Sequence, residues 1–198
     1  MTAISAAMVK QLREKSGAGI MDCKQALAEC DCDIEKAVDF LRTKGLATAA
    51  KRAGRATSEG VVVSYIHMGG KIGVLLEVNC ETDFVAKNDD FQEFAKNIAM
   101  HIAAVNPLGI NAEDISEDVL NREKEIFRAQ VLEMGKPEKM VDKIVDGKVK
   151  KFFKESCLMS QDYVRDTSLT IADVLNSLVA KIGENISIAR FTRYQIGA

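Results

Sequence analysis

The sequence has no surplus of positive charge, no apolar run of membrane length and no CxxC pair, and each absence removes a class of function. Its 27 Lys and Arg against 29 Asp and Glu leave a formal net charge of −2, so the counterion release behind general nucleic-acid binding has no source in the chain as a whole. No stretch approaches the ~20 apolar residues of a membrane helix, and no basic segment leads into an apolar one at the N-terminus, which makes the cytoplasm the expected compartment. The five cysteines, at 23, 30, 32, 80 and 157, form an odd set that fits free reduced thiols. Cys23, Cys30 and Cys32 invite a zinc reading, but His67 and His101 are not at finger spacing, so small buried hydrophobes and no metal are expected. Cys80 has no base positioned beside it in the sequence to make it a nucleophile. The phosphate-loop run GxxxxGK(S/T), the dinucleotide fingerprint, HExxH and GxSxG are missing too. What is left reads as a binding protein rather than an enzyme, with no cofactor and no nucleotide site of its own.

The apolar periodicity divides the chain into three segments. Residues 1–45 read as a three-helix module. Ser5 caps the first helix, which carries Met8, Val9 and Leu12. Gly17-Ala18-Gly19 breaks the chain, and Asp22 with Gln25 forms a capping-box-like start for Cys23, Ala26 and Leu27. The third helix begins at Asp33, with Ile34, Ala37, Val38 and Leu41 on one face and Gly45 as its expected end. Residues 46–59 turn alanine-rich and basic, with Lys51, Arg52 and Arg55, and read as a partly helical linker. No aromatics interleave these cations, so a solvated run fits better than a nucleic-acid contact.

Residues 60–198 predict an α+β core. The β-rich runs 61–68 and 71–80 flank Gly69-Gly70, a hairpin signal because tight turns need positive φ. Asn88-Asp89 caps a helix from ~89 to ~105 with Phe91, Phe94, Ile98 and Ile102, stopped near Pro107. Ser116 opens a charged surface helix to ~134, and Pro137 opens another whose Met140, Val141, Ile144, Val145, Val149, Phe152 and Phe153 form a broad apolar face. Thr170 with Asp173, and Leu169 with Val174, mark a capped and stapled helix ending near Gly183. A strand follows over 185–196. The expected architecture is a small antiparallel or mixed sheet covered on one face by helices. Three strands leave an open edge, which favours a dimer.

The tetrapeptide Thr82-Asp83-Phe84-Val85 lies between the second strand and the helix, whose own core faces are already filled. Its two apolar side chains, beside an anionic one, are therefore candidates for a partner surface.

Three stretches, LREKSGAGIMDCKQALAE (12–29), LEVNCETDFVAKNDDF (76–91) and KIGENISIARF (181–191), closely resemble the bacterial elongation factor Ts family. That resemblance implies a ubiquitin-associated-like three-helix module, a linker and an α+β core. It also implies guanine nucleotide exchange on elongation factor Tu, in its GDP-bound and nucleotide-free forms, without covalent chemistry. In the family the turn matching Thr82, Asp83, Phe84 and Val85 dislocates the partner's Mg²⁺, with Phe84 as a wedge. Arg13, Ile20, Met21 and Lys24 match positions where the module touches the partner, although Ile20 and Met21 also fit a packing role. His67, at the hairpin tip, matches a position facing the partner's phosphate-loop side, and also fits a plain surface residue. Ile182 is open between packing and contact. Longer members carry a second copy of the sheet motif and an inserted helical hairpin. A single copy here implies the short form, a homodimer and a two-plus-two complex. The competing readings are an adaptor that recruits another protein through the three-helix module, and a nucleic-acid binder using the basic linker.

Overall fold

Side-chain oxygens of Ser5, Asp33 and Ser116 each accept a hydrogen bond from the backbone N–H three residues on, and each opens a helix where the sequence predicts one. The computed structural model describes residues 4–135 and 137–197; the outermost ends of the expected 1–45 and 60–198 segments lie outside the described residues. The N-terminal elements are α1 (Ala6–Ser16), α2 (Ile20–Glu29) and α3 (Ile34–Arg52). β1 (Glu59–Ile66), β2 (Ile72–Cys80), α4 (Asp83–Ala86) and α5 (Asp89–Val105) follow, then α6 (Glu117–Glu133) and α7 (Glu138–Ser156). The chain finishes with β3 (Asp162–Tyr163), β4 (Asp166–Thr170), α8 (Ile171–Ile182) and β5 (Ile186–Gln195). Together they make an α+β protein with a three-stranded antiparallel sheet in the order β1-β2-β5. Two compact units divide the chain. One holds residues through Val63, with Leu76–Lys96 and Asp173–Ala189; the other holds Ser64–Leu75, Asn97–Ala172 and the residues from Arg190 on.

In the first unit α1, α2 and α3 close around Val9, Leu12, Cys23, Ala26, Leu27, Ala37 and Leu41, with Met8, Ile34 and Val38 packed against them. Gly17 ends α1 in the left-handed conformation (φ 67°) and donates its N–H to Arg13 O at 2.8 Å, a helix stop that a Cβ would oppose. Two expectations are corrected here. α2 starts at Ile20 with Gly19 as its cap. Asp22 and Gln25 do not cap it; both accept from Lys44 Nζ at 2.7 Å and so tie α2 to α3. Gly45 does not end α3, which runs on to Arg52. A Cβ at Gly45 would lie 3.3 Å from the Ala180 Cβ, so this glycine lets α3 approach α8 closely. The alanine-rich sequence beyond it continues the helix on propensity, with Lys51 and Arg52 favourably placed at its C-terminus.

The second unit contains a helical hairpin, a feature that the resemblance assigns to longer relatives. α6 and α7 pack through Val131, Val141, Val145 and Val149, joined by Phe127, Ile144 and Phe153. Arg128 pairs with Asp142, and Lys148 Nζ lies 5.3 Å above the Phe127 ring. Met140, expected on the apolar face, is exposed, and Pro137 caps α7 rather than entering its first turn. The β3–β4 ribbon has no counterpart in the sequence reading.

That ribbon is held by a buried polar chain. The N–H of Val164 donates to His101 Nδ1 at 3.3 Å, which leaves the proton on Nε2, and Nε2 faces Gln161 Oε1 at 3.0 Å. Gln161 Nε2 in turn donates to Glu155 O at 2.7 Å. His101 is fully buried, and that burial pushes its pKa below the ordinary 6.5, only partly opposed by the bond to Gln161. The unfolded chain thus takes up the proton at a higher pH than the folded one. His101's stabilising contribution is complete above about 6.5 and is lost as pH falls through the folded pKa. Denaturant unfolding should show stability starting to fall just below pH 6.5, with the His101 ring signals still those of neutral imidazole at that pH. Titration of His101 at or above 6.5 would contradict the burial argument.

Candidate functional site

Alternation along β2 buries Val74, Leu76, Val78 and Cys80 on one face, so the strand is anchored as it delivers Glu81 and Thr82 to its end. The predicted turn is a single turn of helix, α4. Thr82 caps it in an extended conformation (φ −130°), its hydroxyl oxygen accepting from Val85 N–H at 3.5 Å. Ala86 is buried and Val85 half-buried, which directs the neighbouring Phe84 outward; Phe84 is 80% exposed. At the far end Gln92 Nε2 donates to Ala86 O at 2.6 Å, and Asn88 starts α5 by accepting from Asp90 N–H.

The charges around α4 are paired. Asp83 accepts from Lys87 Nζ at 2.7 Å, and chiefly that bond holds its carboxyl below the usual carboxylate range. Glu184 Oε2 accepts the Thr82 N–H at 3.0 Å, and its Oε1 accepts the Thr82 hydroxyl at 2.7 Å. Glu81 Oε1 accepts the Asn185 N–H at 2.6 Å, the main cause of its lowered pKa, while Arg55 approaches Oε2 at 3.4 Å. Burial, and then the charge of Glu184, push the Cys80 thiol upward, so Cys80 stays protonated and donates to Thr82 O.

In the same unit the break between α1 and α2 opens a cleft of about 450 Å³ lined by Arg13, Gly17, Ala18, Gly19, Ile20, Met21, Asp22 and Lys181. Ile20 and Met21 are exposed, Met21 by 75%, so neither is core. Lys24 is exposed on α2 but does not line the cleft. Ile182 is half-buried. His67 belongs to the second unit, exposed at the β1–β2 tip, with Nδ1 3.1 Å from Tyr65 Oη. Gly69 and Gly70 both take positive φ there, 86° and 69°. Glu184, which binds the Thr82 cap of α4, and Glu81, which binds Asn185, carry no local sign of these bonds because their partners are 102 or more residues away.

A tethered helical turn that exposes a phenylalanine and, in the same unit, a cleft with apolar and basic walls are the kind of surfaces that an α+β binding protein offers. Comparison with known proteins gives the family. The sequence model of the family described as Elongation factor TS matches residues 34–198. Elongation factor Ts of Desulfosudis oleivorans is 70% identical over 197 residues, covering 100% of both chains. Elongation factor Ts of Desulfotalea psychrophila is 62% identical over 196 residues, covering 99% of this chain and 100% of its own. That of Syntrophomonas wolfei is 60% identical over 194 residues, covering 98% and 91%. The chain belongs to the elongation factor Ts family.

Proposed function

We propose that this chain is a guanine nucleotide exchange factor for elongation factor Tu, acting without covalent chemistry. The observation that carries the reading is Phe84, an aromatic side chain left 80% exposed on a helical turn held at both ends. Asp83 and Phe84 enter the partner's GTP-binding domain near its magnesium site, while Thr82 and Val85 shape the turn. Mg²⁺ demands near-ideal octahedral coordination, so a small displacement of its surroundings loosens it and its hold on the GDP phosphates. Arg13, Ile20, Met21 and Lys24 of the 1–45 module add docking contacts, and His67 of the 60–198 core adds one from the hairpin tip. Linkage requires that nucleotide weaken factor binding as much as the factor weakens nucleotide binding, so the ternary complex is transient. An adaptor working through the module alone would leave Phe84 without a purpose. Release of fluorescent GDP from elongation factor Tu, followed with and without this protein, tests the reading; no acceleration would sink it.

The single copy of the sheet motif further implies a homodimer and a two-plus-two complex with elongation factor Tu. Supporting this, Ile66, Leu75 and Tyr194 of the second unit leave large apolar surface exposed on its strands. Gly73 lies among them, where a Cβ would meet Ile66 Cδ1 at 3.0 Å. A second copy would cover such a face. Sedimentation should give twice the chain mass, and Leu75→Glu should return monomers. A wild-type monomer at micromolar concentration would overturn the dimer.

A further inference from the structure

We infer that Glu184, together with Glu81, is a positioning residue that fixes the α4 turn before the partner arrives, so that Phe84 is presented in its working orientation. The inference rests on the exchange reading above and assigns a role to residues outside the exposed turn.

The clasp starts at the end of α8. Gly183 adopts φ 86° and donates its N–H to Val179 O at 2.8 Å, ending the helix with the reversal that turns Glu184 back toward Thr82. Both Glu184 oxygens are then used on one residue, the Thr82 N–H and the Thr82 hydroxyl, at 3.0 and 2.7 Å. Because the hydroxyl proton is committed to Glu184, the oxygen lone pair is left for the Val85 N–H, and the helix cap is oriented from outside α4. The arrangement is reciprocal. Glu184 binds the backbone of the residue after Glu81, and Glu81 binds the backbone of Asn185, the residue after Glu184. Asn185 Nδ2 also donates to Arg55 O at 2.8 Å.

A four-residue helix cannot hold itself together, since helix nucleation is unfavourable and a single turn has almost no propagation to offset it. An 80% exposed Phe84 adds little packing to order the turn. Its geometry is therefore set by tethers at its two ends, Glu184 at the start and Gln92 at the finish. A preordered turn binds without the entropy cost of ordering on contact. In exchange this acts on the step after docking, because the module can seat the complex while the wedge is still to enter.

Glu184→Gln keeps the shape but replaces one acceptor by a donor facing Thr82. The maximal exchange rate should fall about tenfold, while the half-saturating concentration of the factor changes by less than about twofold. In a Phe84→Ala background the same substitution should have no further effect, because the clasp works through Phe84. Amide hydrogen exchange at Thr82 and Val85 should speed up about tenfold or more in Glu184→Gln. Wild-type exchange by Glu184→Gln, or an equal proportional loss with and without Phe84, would overturn the positioning role. Unchanged amide protection would overturn the clasp itself, whatever the exchange assay gives. If the wild-type protein fails to accelerate GDP release, the exchange reading falls instead, which is a separate result.

Discussion

Replacing Phe84 by alanine should cut catalysed GDP release from elongation factor Tu by up to about a hundredfold and leave the thermal unfolding of the free protein almost unmoved. The size follows from burial: moving a phenylalanine side chain from water into an apolar pocket contributes about 2–3 kcal/mol, and each 1.4 kcal/mol is about tenfold. The insensitivity of the fold follows from exposure. Phe84 is 80% exposed, and surface substitutions of that kind stay within about ±0.5 kcal/mol. Its neighbour Phe91 supplies the internal contrast. Phe91 is fully buried, and truncating it should cost about 3–5 kcal/mol, enough to endanger folding. The two phenylalanines are seven positions apart in one motif, yet one is fully buried and the other 80% exposed. Stopped-flow fluorescence of labelled GDP and thermal circular dichroism, run on both variants, separate the roles. A large loss of thermal stability in Phe84→Ala would place Phe84 in the core.

This separation was legible in the sequence because it depends on local pattern. β2 alternates, α5 repeats its apolar residues at helical spacing, and Phe84 fits neither, so its exposure follows from the sequence pattern. The faces of α1, α2 and α3, the glycine tip at 69–70 and the cap at Asn88 were readable for the same reason. What could not be read depends on distant partners. Whether Gly45 stops a helix or thins it is decided by Ala180. Whether Asp22 caps α2 or binds a lysine is decided by Lys44 on the next helix. β3, two residues long, is too short to show a period, and its anchor His101 lies on α5. Glu184 carries no local sign of its bond to Thr82. For Ile20 and Met21, packing and contact have the same helical spacing, and only their exposure excludes the packing role.

Gly60→Ala should be the most damaging small substitution in the first unit, costing about 3–5 kcal/mol of stability from backbone strain combined with overpacking. Gly60 lies in β1 with φ 152°, a conformation that L residues rarely adopt. A Cβ there would sit 2.7 Å from Asn79 Cα and closer still to the Val78 carbonyl oxygen. Both obstacles are backbone, so no side chain can swing aside, and the β1–β2 pair would have to part. Gly69 and Gly70 also have positive φ but meet nothing within 4 Å, so alanine at either should cost only about 1 kcal/mol. Urea unfolding distinguishes the cases: the Gly60→Ala midpoint should drop far below those of the two tip variants, with little change in slope. An unchanged midpoint would mean that the close approach at Val78 relaxes freely. The damage should reach function as well, because Val78 and Asn79 lie just before Glu81 and Thr82. A displaced β2 moves Glu81 and Thr82 away from Asn185 and Glu184, so the folded fraction of Gly60→Ala should exchange GDP more slowly than its stability loss alone explains.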